Sequence, residues 1–234
     1  MLELKKELEN IKDSFSRISE IVYQTPVLSS ISINKALKAD ITFKAECLQE
    51  TGSFKLRGAS SAISVLSKEE KSRGVVAFSS GNHAQGIAYA SRELGTSAKI
   101  VMPSDAPKIK IRKTKEYGAE IIFYDRDEDN REEIGFSIAT EEGRKLIKPF
   151  DDLNVIYGQG TAALEVMDEV DTKFDMSVVC CSGGGLAAGT GIVLKNSLSD
   201  CQLYTAEPKD WNDHEKSFSQ NNIVSIKNKK HGMC

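Results

Sequence analysis

Short apolar runs alternate with longer helix-patterned stretches from residue 74 onward, and this alternation limits the chain to few folds. The run GVVAF (74–78) is followed by a helical stretch, NHAQGIAYASREL, and then by a second strand-like run, SAKIVMP. The later runs AEIIFYD, MSVVCC and CQLYTAEP continue the pattern. Alternating strands and helices with short connections predict a parallel sheet covered by helices on both faces. We therefore predict an α/β fold.

Further helices are predicted near 106–117, 127–145 and 159–169, and after SGGG. The highly charged stretch at 127–145 is typical of a solvated outer helix. The irregular stretch LIKPFDDLNVIYGQG follows it, and we interpret this stretch as a crossing between two lobes. The lobes are expected to be a large domain, 1–72 and 152–234, and a small domain, 73–151.

Composition and charge exclude several classes of function. Hydrophobic residues make up 40% of the 234 residues and charged residues 28%, the balance of a globular protein. The net charge of -3 offers no broad basic field for a nucleic-acid backbone. The N-terminus resembles no signal peptide, and no run approaches membrane-spanning length. We expect a cytoplasmic protein with no nucleic-acid or membrane partner.

Five cysteines occur without CxxC spacing, so the sequence indicates neither a disulfide framework nor a zinc site. Buried free thiols are the expected outcome.

The stretch CCSGGGLAAGTG follows an apolar strand and opens a helix of small residues. Main-chain N–H groups and the helix dipole make such a turn an anion site, with phosphate as its natural ligand. Tight packing explains the glycines equally well. The spacing fits neither a P-loop nor a dinucleotide fingerprint.

A second loop, SSGNHAQG (79–86), stands at the carboxyl end of the first strand of the repeat. Ser79 or Ser80 could simply cap the following helix. The functional alternative is a loop that binds a substrate carboxylate, with Asn82 offering an amide to a ring hydroxyl. His83 is given no catalytic role.

Lys55, in SFKLRG (53–58), would be a surface residue if it were considered alone. A phosphate loop, a carboxylate loop and a lysine in a partly apolar setting are, however, the parts needed to hold a phosphorylated aldehyde as a Schiff base.

Five segments in order along the chain carry a close family resemblance. They are KAECLQETGSFKLRGA (44–59), FSSGNHAQGIAYA (78–90), GQGTAALEV (158–166), CSGGGLAAG (181–189) and AEPKDWND (206–213). Together they resemble the pyridoxal-phosphate enzymes of fold type II, nearest to the serine/threonine dehydratase and serine racemase group. The resemblance implies a two-lobed fold of parallel twisted sheets flanked by helices. It also implies pyridoxal 5'-phosphate as cofactor, an amino-acid substrate and a homodimer.

The resemblance assigns roles to particular residues. Lys55 would be the Schiff-base lysine and general base, with Phe54 beside the cofactor ring and Asn82 on the ring hydroxyl. Ser80 would be the proton donor opposite the lysine, as in the racemase branch. The phosphate would be bound by Gly183, Gly184, Gly185 and Leu186, and the substrate carboxylate by Ser79, Ser80, Gly81, Asn82 and His83. Ser182 stands where relatives usually have another glycine.

The segment EPKDWND resembles the divalent-cation site of the same branch. Glu207 and Asp213 would be side-chain ligands, and the Trp211 carbonyl would be a third. Oxygen ligands and water suit Mg2+ or Ca2+. A charged loop without a metal is the alternative.

The resemblance implies β-elimination of serine, threonine or a related β-hydroxy amino acid to a 2-oxo acid and ammonia. Two alternatives stay open: racemisation of the serine racemase type, and a non-catalytic remnant that binds a phosphorylated ligand. KPFDD (148–152) favours the dehydratase branch slightly. The sequence stops at NKKHGMC, where the family continues into residues that contact the pyridine nitrogen. We therefore expect apolar sheet surface to be exposed, with poor stability or association.

Overall fold

The computed structural model describes residues 2–171 and 173–226, in which helices and strands alternate as predicted. The helices are α1 (Leu2–Ile18), α2 (Ile31–Leu37), α3 (Lys55–Ser64), α4 (Lys68–Arg73), α5 (Asn82–Glu93), α6 (Lys108–Glu116), α7 (Arg131–Glu141), α8 (Leu153–Glu169), α9 (Gly185–Ser197) and α10 (Asp213–Gln220). The strands are β1 (Val27–Ser29), β2 (Thr42–Lys44), β3 (Val75–Phe78), β4 (Ala98–Pro103), β5 (Glu120–Tyr124), β6 (Lys145–Leu146), β7 (Met176–Cys180) and β8 (Gln202–Ala206).

Six of these strands form parallel sheets. One sheet has the order β5-β4-β3-β6, and β7 pairs with β8 in a second. The short strands β1 and β2 pair antiparallel. The α/β prediction is confirmed. The four-stranded sheet lies within the predicted small domain, 73–151, and the domain boundaries themselves remain a prediction.

Helices cover both faces of the four-stranded sheet. On one face, Ile100 and Met102 of β4 pack in a core with residues of α3 and α5 such as Ile63 and Ile87. On the other face, Phe78 and neighbouring apolar side chains pack against α7. Because both faces are covered, all four residues of β3 are buried, which accounts for its uninterrupted apolar sequence.

From residue 74 onward, where strands and helices were predicted in alternation, two helix boundaries and one strand differ from the prediction; the short strands β1 and β2 lie before that region and were not predicted. α8 begins at Leu153 rather than near 159, because the Asp152 side chain accepts hydrogen bonds from the first-turn N–H groups. α7 covers only Arg131–Glu141 of the predicted 127–145, since Asn130 caps its start and Gly143 (φ 63°) lies beyond its end. β6 was not predicted as a strand, because two residues pairing with β3 leave no periodic signal.

Glycines allow α8 to lie very close to its neighbours. A Cβ atom on Gly158 would be 2.4 Å from the Arg57 carbonyl oxygen in α3, and one on Gly189 of α9 would be 2.6 Å from the Gly160 nitrogen. No side chain fits at such distances. The approach fixes α9, and the loop that precedes it, relative to the start of α3, where Lys55 lies.

A buried ionic cluster anchors α3. The fully buried Arg57 donates to both carboxylate oxygens of Glu165, at 2.6 and 2.7 Å, and to both of Glu46, at 2.8 Å. Glu165 also pairs with Lys44 at 2.8 Å. Each buried charge therefore has a partner of opposite sign, which offsets the cost of its burial.

One face of the β7–β8 sheet is bare. Met176, Val178 and Tyr204 lie on this face and are 57%, 63% and 48% exposed, in agreement with the expected exposure of apolar sheet surface. The effect on stability or association remains a prediction.

The expectation of buried thiols is right for Cys181 and Cys201 and wrong for Cys47 and Cys180, which are exposed free thiols. Cys180 is the last residue of β7 on the bare face, and nothing described covers it. Cys234 lies outside the described residues. Among the described residues, no helix is long and apolar enough to cross a membrane.

Candidate active site

Lys55 is the first residue of α3, and its amine is turned away from bulk water. The Nζ atom donates to the Pro149 carbonyl oxygen at 2.8 Å and lies 5.4 Å from the centre of the Phe54 ring. Burial lowers the pKa of Lys55 from its ordinary 10.5 to about 8, with Cys180 acting weakly in the opposite direction. A fraction of the amine is therefore neutral near pH 7, as a nucleophile or a general base requires.

The glycine loop connects β7 to α9 and leaves the start of that helix open. Gly184 has φ 84°, a left-handed conformation that favours glycine, and no side chain caps α9. The start of α9 is therefore without a capping side chain, which leaves its first turn available to an anion. Gly183, Gly184, Gly185 and Leu186 thus occupy the place the sequence predicted, around the start of α9.

Tight packing, the alternative explanation of these glycines, also applies where the loop meets Phe150. A Cβ atom on Gly183 would lie 2.1 Å from the Phe150 ring, and one on Gly185 would lie 3.1 Å from the Phe150 carbonyl oxygen. Phe150 follows Pro149, which accepts from Lys55. The segment 149–150 therefore joins the lysine to the glycine loop, a connection that sequence reasoning missed because the partners are far apart in the chain.

The predicted carboxylate loop lies between β3 and α5. Ser79 and Ser80 do not cap α5: its N-cap is Gly81, no side chain caps it, and the Ser79 Oγ atom instead accepts from the Gly81 N–H at 3.1 Å. A Cβ atom on Gly86 would be 3.0 Å from the Lys55 carbonyl oxygen, so the first turns of α5 pack directly on the start of α3. A second open helix N-terminus therefore lies beside Lys55.

Asn82 and His83 begin α5 and face different surroundings. Asn82 is exposed, and its Oδ1 accepts from Lys110 Nζ at 3.2 Å. Lys110 was not predicted, and it adds a positive charge next to the carboxylate loop. His83 is 2% exposed, and its Nε2–H donates to the Ile147 carbonyl at 3.2 Å. Burial, and then the charge of Lys55, lower the pKa of His83 to about 3, so its ring is neutral. This buried, neutral ring lies beneath the carboxylate loop and stabilises it.

The acidic loop after β8 brings together a different set of residues from the predicted one. Glu207 accepts from the N–H groups of His214 and Glu215, at 3.2 and 3.0 Å. Donor atoms of Glu207, His214 and Cys181 lie within 4.8 Å of one another. Asp213 opens α10 and is not one of these three, and Trp211 ends a short 3-10 turn. The oxygen-ligand site of Glu207, Trp211 and Asp213 remains a prediction.

Comparisons with known proteins identify the family of the chain. A family model described as "Pyridoxal-phosphate dependent enzyme" matches residues 18–233. The chain is 42% identical to serine racemase of Schizosaccharomyces pombe, over 93% of this chain and 67% of that protein. It is 46% identical to L-threo-3-hydroxyaspartate ammonia-lyase of Saccharomyces cerevisiae, over 93% of this chain and 66% of that protein.

A solved structure is similar as well. The structure of maize serine racemase superimposes with a TM-score of 0.92 at 37% identity, covering 95% of this chain and 68% of that one. The chain thus spans about two thirds of the length of the relatives it matches. The family model matches most of the chain, and the solved structure superimposes on nearly all of it. This chain therefore belongs to the family of pyridoxal-phosphate dependent enzymes of fold type II.

Proposed function

We propose that the chain carries the lysine and the two anion-binding loops of an enzyme that uses pyridoxal phosphate to eliminate the β-hydroxyl group of a small amino acid. Serine, threonine and 3-hydroxyaspartate are the substrates we propose, since relatives are named as ammonia-lyases for 3-hydroxyaspartate and threonine. The single observation that carries the proposal is Lys55, a half-buried amine with a pKa of about 8 beside two open helix N-termini.

The described residues fit the cofactor. Its phosphate would be held by main-chain N–H groups at the start of α9, where glycines leave room for close approach. Its aldehyde would be held by Lys55, and its ring would lie near Phe54 and Asn82. Once bound, pyridoxal phosphate supplies an electron sink for the negative charge that develops when an amino acid loses its α-proton.

Residues of this chain would bind the substrate carboxylate and remove the α-proton. The start of α5 and the loop from Ser79 to His83 orient the substrate carboxylate, and Lys110 adds positive charge nearby. Lys55 Nζ, in its neutral form, removes the α-proton. The Pro149 carbonyl holds this amine in place through the 2.8 Å hydrogen bond. Serine loses one water in the elimination, and the product then takes up one water in hydrolysis, so that serine gives pyruvate and ammonia.

Racemisation is the second proposed activity, because Ser80 lies in the carboxylate loop and a relative 42% identical to the chain is a serine racemase. If Ser80 Oγ delivered a proton to the α-carbon from the side opposite Lys55, the product would be the other enantiomer. A Ser80→Ala substitution would then abolish racemisation and leave elimination with most of its rate. The Ser80→Ala substitution would therefore separate the two activities within one protein.

The cofactor is tested with the purified chain and pyridoxal phosphate. We expect a near-visible absorbance band that Lys55→Ala removes and that the matched control Lys148→Ala, at a side chain that is 44% exposed, retains. L-Serine, L-threonine and L-threo-3-hydroxyaspartate are then supplied separately, and 2-oxo acid, ammonia and the D-enantiomer are measured. A folded wild-type chain without the band would contradict the proposal and would favour a non-catalytic remnant.

We also propose a homodimer. Apolar side chains around β1, β2 and α2 are exposed, among them Leu28 (48%), Ile31 (90%), Leu37 (63%) and Phe43 (44%). A cluster of this kind is typical of an association surface. Light scattering should give twice the chain mass of 25.7 kDa. Ile31→Lys should halve that mass, whereas Phe218→Lys, at an exposed apolar residue elsewhere, should not. Dissociation by Val178→Lys instead would place the interface on the bare sheet face and contradict this proposal.

A further inference from the structure

Cys181, Glu207 and His214 form a compact group of donor atoms behind the glycine loop. β7 and β8 are parallel neighbours, and Cys180 lies opposite Ala206, so the next residue of each strand, Cys181 and Glu207, leaves the sheet side by side. The two N–H···O bonds from the start of α10 to Glu207 then bring His214 against the pair. Three sequence-distant segments thus meet at one point.

The spacing of the three donor atoms suits a transition metal. No two of the three donor atoms are more than 4.8 Å apart, so one point in space lies within about 2.8 Å of all three. Zinc bonds to sulfur, nitrogen and oxygen are about 2.0–2.3 Å long. To reach a shared ion, the sulfur atom therefore needs to move by about half an ångström and the nitrogen and oxygen atoms by about 0.8 Å. The larger shift is within the freedom of the partly exposed Glu207 and His214 side chains.

The hydrogen bond made by His214 is the one that a metal-bound histidine requires. Its Nε2 lies 2.6 Å from the Ser182 carbonyl oxygen. Because a carbonyl oxygen only accepts, Nε2 carries the hydrogen and Nδ1 keeps the lone pair that a metal needs. Metal-bound histidines usually donate their second N–H to a carbonyl or carboxylate in this way.

The donor types select the metal. Thiolate and imidazole favour Zn2+ and similar ions, whereas Mg2+ and Ca2+ prefer oxygen ligands. The carboxylate of Glu207, with that of Asp213 nearby, supplies negative charge around the buried Cys181. We propose that Cys181, Glu207 and His214 bind a Zn2+ ion, with water as fourth ligand. This site shares Glu207 with the predicted oxygen site and differs from it in its sulfur and nitrogen donors. On binding, the Cys181 thiol releases its proton to solvent and its sulfur bonds to the metal.

Metal binding at this site would be coupled to cofactor binding. The reason is that the glycine loop begins with Cys181 and with Ser182, whose carbonyl oxygen accepts from His214. This coupling rests on the proposed function, whereas the metal site itself does not, so metal binding is measured without pyridoxal phosphate.

The test uses tag-free, chelator-treated chain and Co2+ as the spectroscopic probe. We expect one equivalent to bind and to give a near-ultraviolet sulfur-to-cobalt charge-transfer band. Zn2+ should displace it stoichiometrically, and excess Mg2+ should not. Cys181→Ser should lose the band, whereas Cys180→Ser, at the exposed neighbouring thiol, should keep it. His214→Gln should weaken Zn2+ binding more than about 10-fold.

Circular dichroism checks that each variant is folded, and His214→Gln, at a partly exposed residue in the first turn of α10, provides the test if Cys181→Ser unfolds. A band that persists in Cys181→Ser, the absence of any charge-transfer band in folded wild type, or displacement by Mg2+ would each overturn the proposal.

Discussion

Replacing Lys55 with methionine should change how the stability of the cofactor-free chain depends on pH. The amine has a pKa of about 8 in the folded chain and an ordinary value of 10.5 once the chain unfolds. Between these two values the unfolded chain holds a proton that the folded chain has lost. Stability of the wild type therefore rises as the pH increases through this window. A methionine at this position does not titrate, so this contribution is missing from the variant.

The size of the effect follows from the two pKa values. At pH 7 the folded chain carries a buried ammonium that is disfavoured by about 3 kcal/mol relative to the unfolded chain. At pH 10 most of this disadvantage has gone. We expect the free energy of unfolding of wild type to rise by about 2.5 kcal/mol relative to Lys55→Met between pH 7 and pH 10.

Urea denaturation followed by circular dichroism at several pH values measures this difference. Lys148→Met is the matched control, since Lys148 is close in the fold and its side chain is 44% exposed. Its pH profile should be parallel to that of wild type. Parallel profiles for wild type and Lys55→Met would refute the conclusion that Lys55 is a desolvated amine.

Three further substitutions test other parts of the account. Gly183→Ala should weaken pyridoxal phosphate binding more than about 10-fold in an absorbance titration, because the added Cβ would lie 2.1 Å from the Phe150 ring. Unchanged affinity would be inconsistent with a tightly packed glycine loop. Arg57→Met should lower the free energy of unfolding by about 3–5 kcal/mol, since it leaves two carboxylates with one ammonium partner; a loss below about 1 kcal/mol would contradict the anchoring role. Asp152→Ala should cost about 1 kcal/mol in urea melts through loss of the α8 cap, and no change would mean that α8 does not depend on this residue.

Much of the fold was predictable because it depends on local patterns. β3 and β4 are buried on both faces and therefore have continuous apolar sequences, and α5 begins at Asn82 as its periodicity indicates. β6 and the early start of α8 were not predicted. The first depends on pairing with β3, and the second on one capping side chain within an irregular stretch.

The candidate site was predictable where short motifs carry it. Lys55 and the two loops lie where the motifs indicated, although their individual roles remain predictions. The contacts of Lys55 with Pro149, of Gly183 with Phe150 and of Asn82 with Lys110 were missed, because each joins residues distant in sequence. Cys181 and His214 were missed for the same reason: their spacing matches no zinc motif, and only the pairing of β7 with β8 brings them together.

The attachment point of the cofactor tests the central claim most directly. The chain is incubated with pyridoxal phosphate, treated with borohydride to fix the imine as a stable amine, digested and analysed by mass spectrometry. We predict one modified peptide, with the added mass on Lys55. Modification of Lys110 or Lys148 instead, or a spread over many surface lysines, would contradict the assignment of Lys55 as the cofactor lysine.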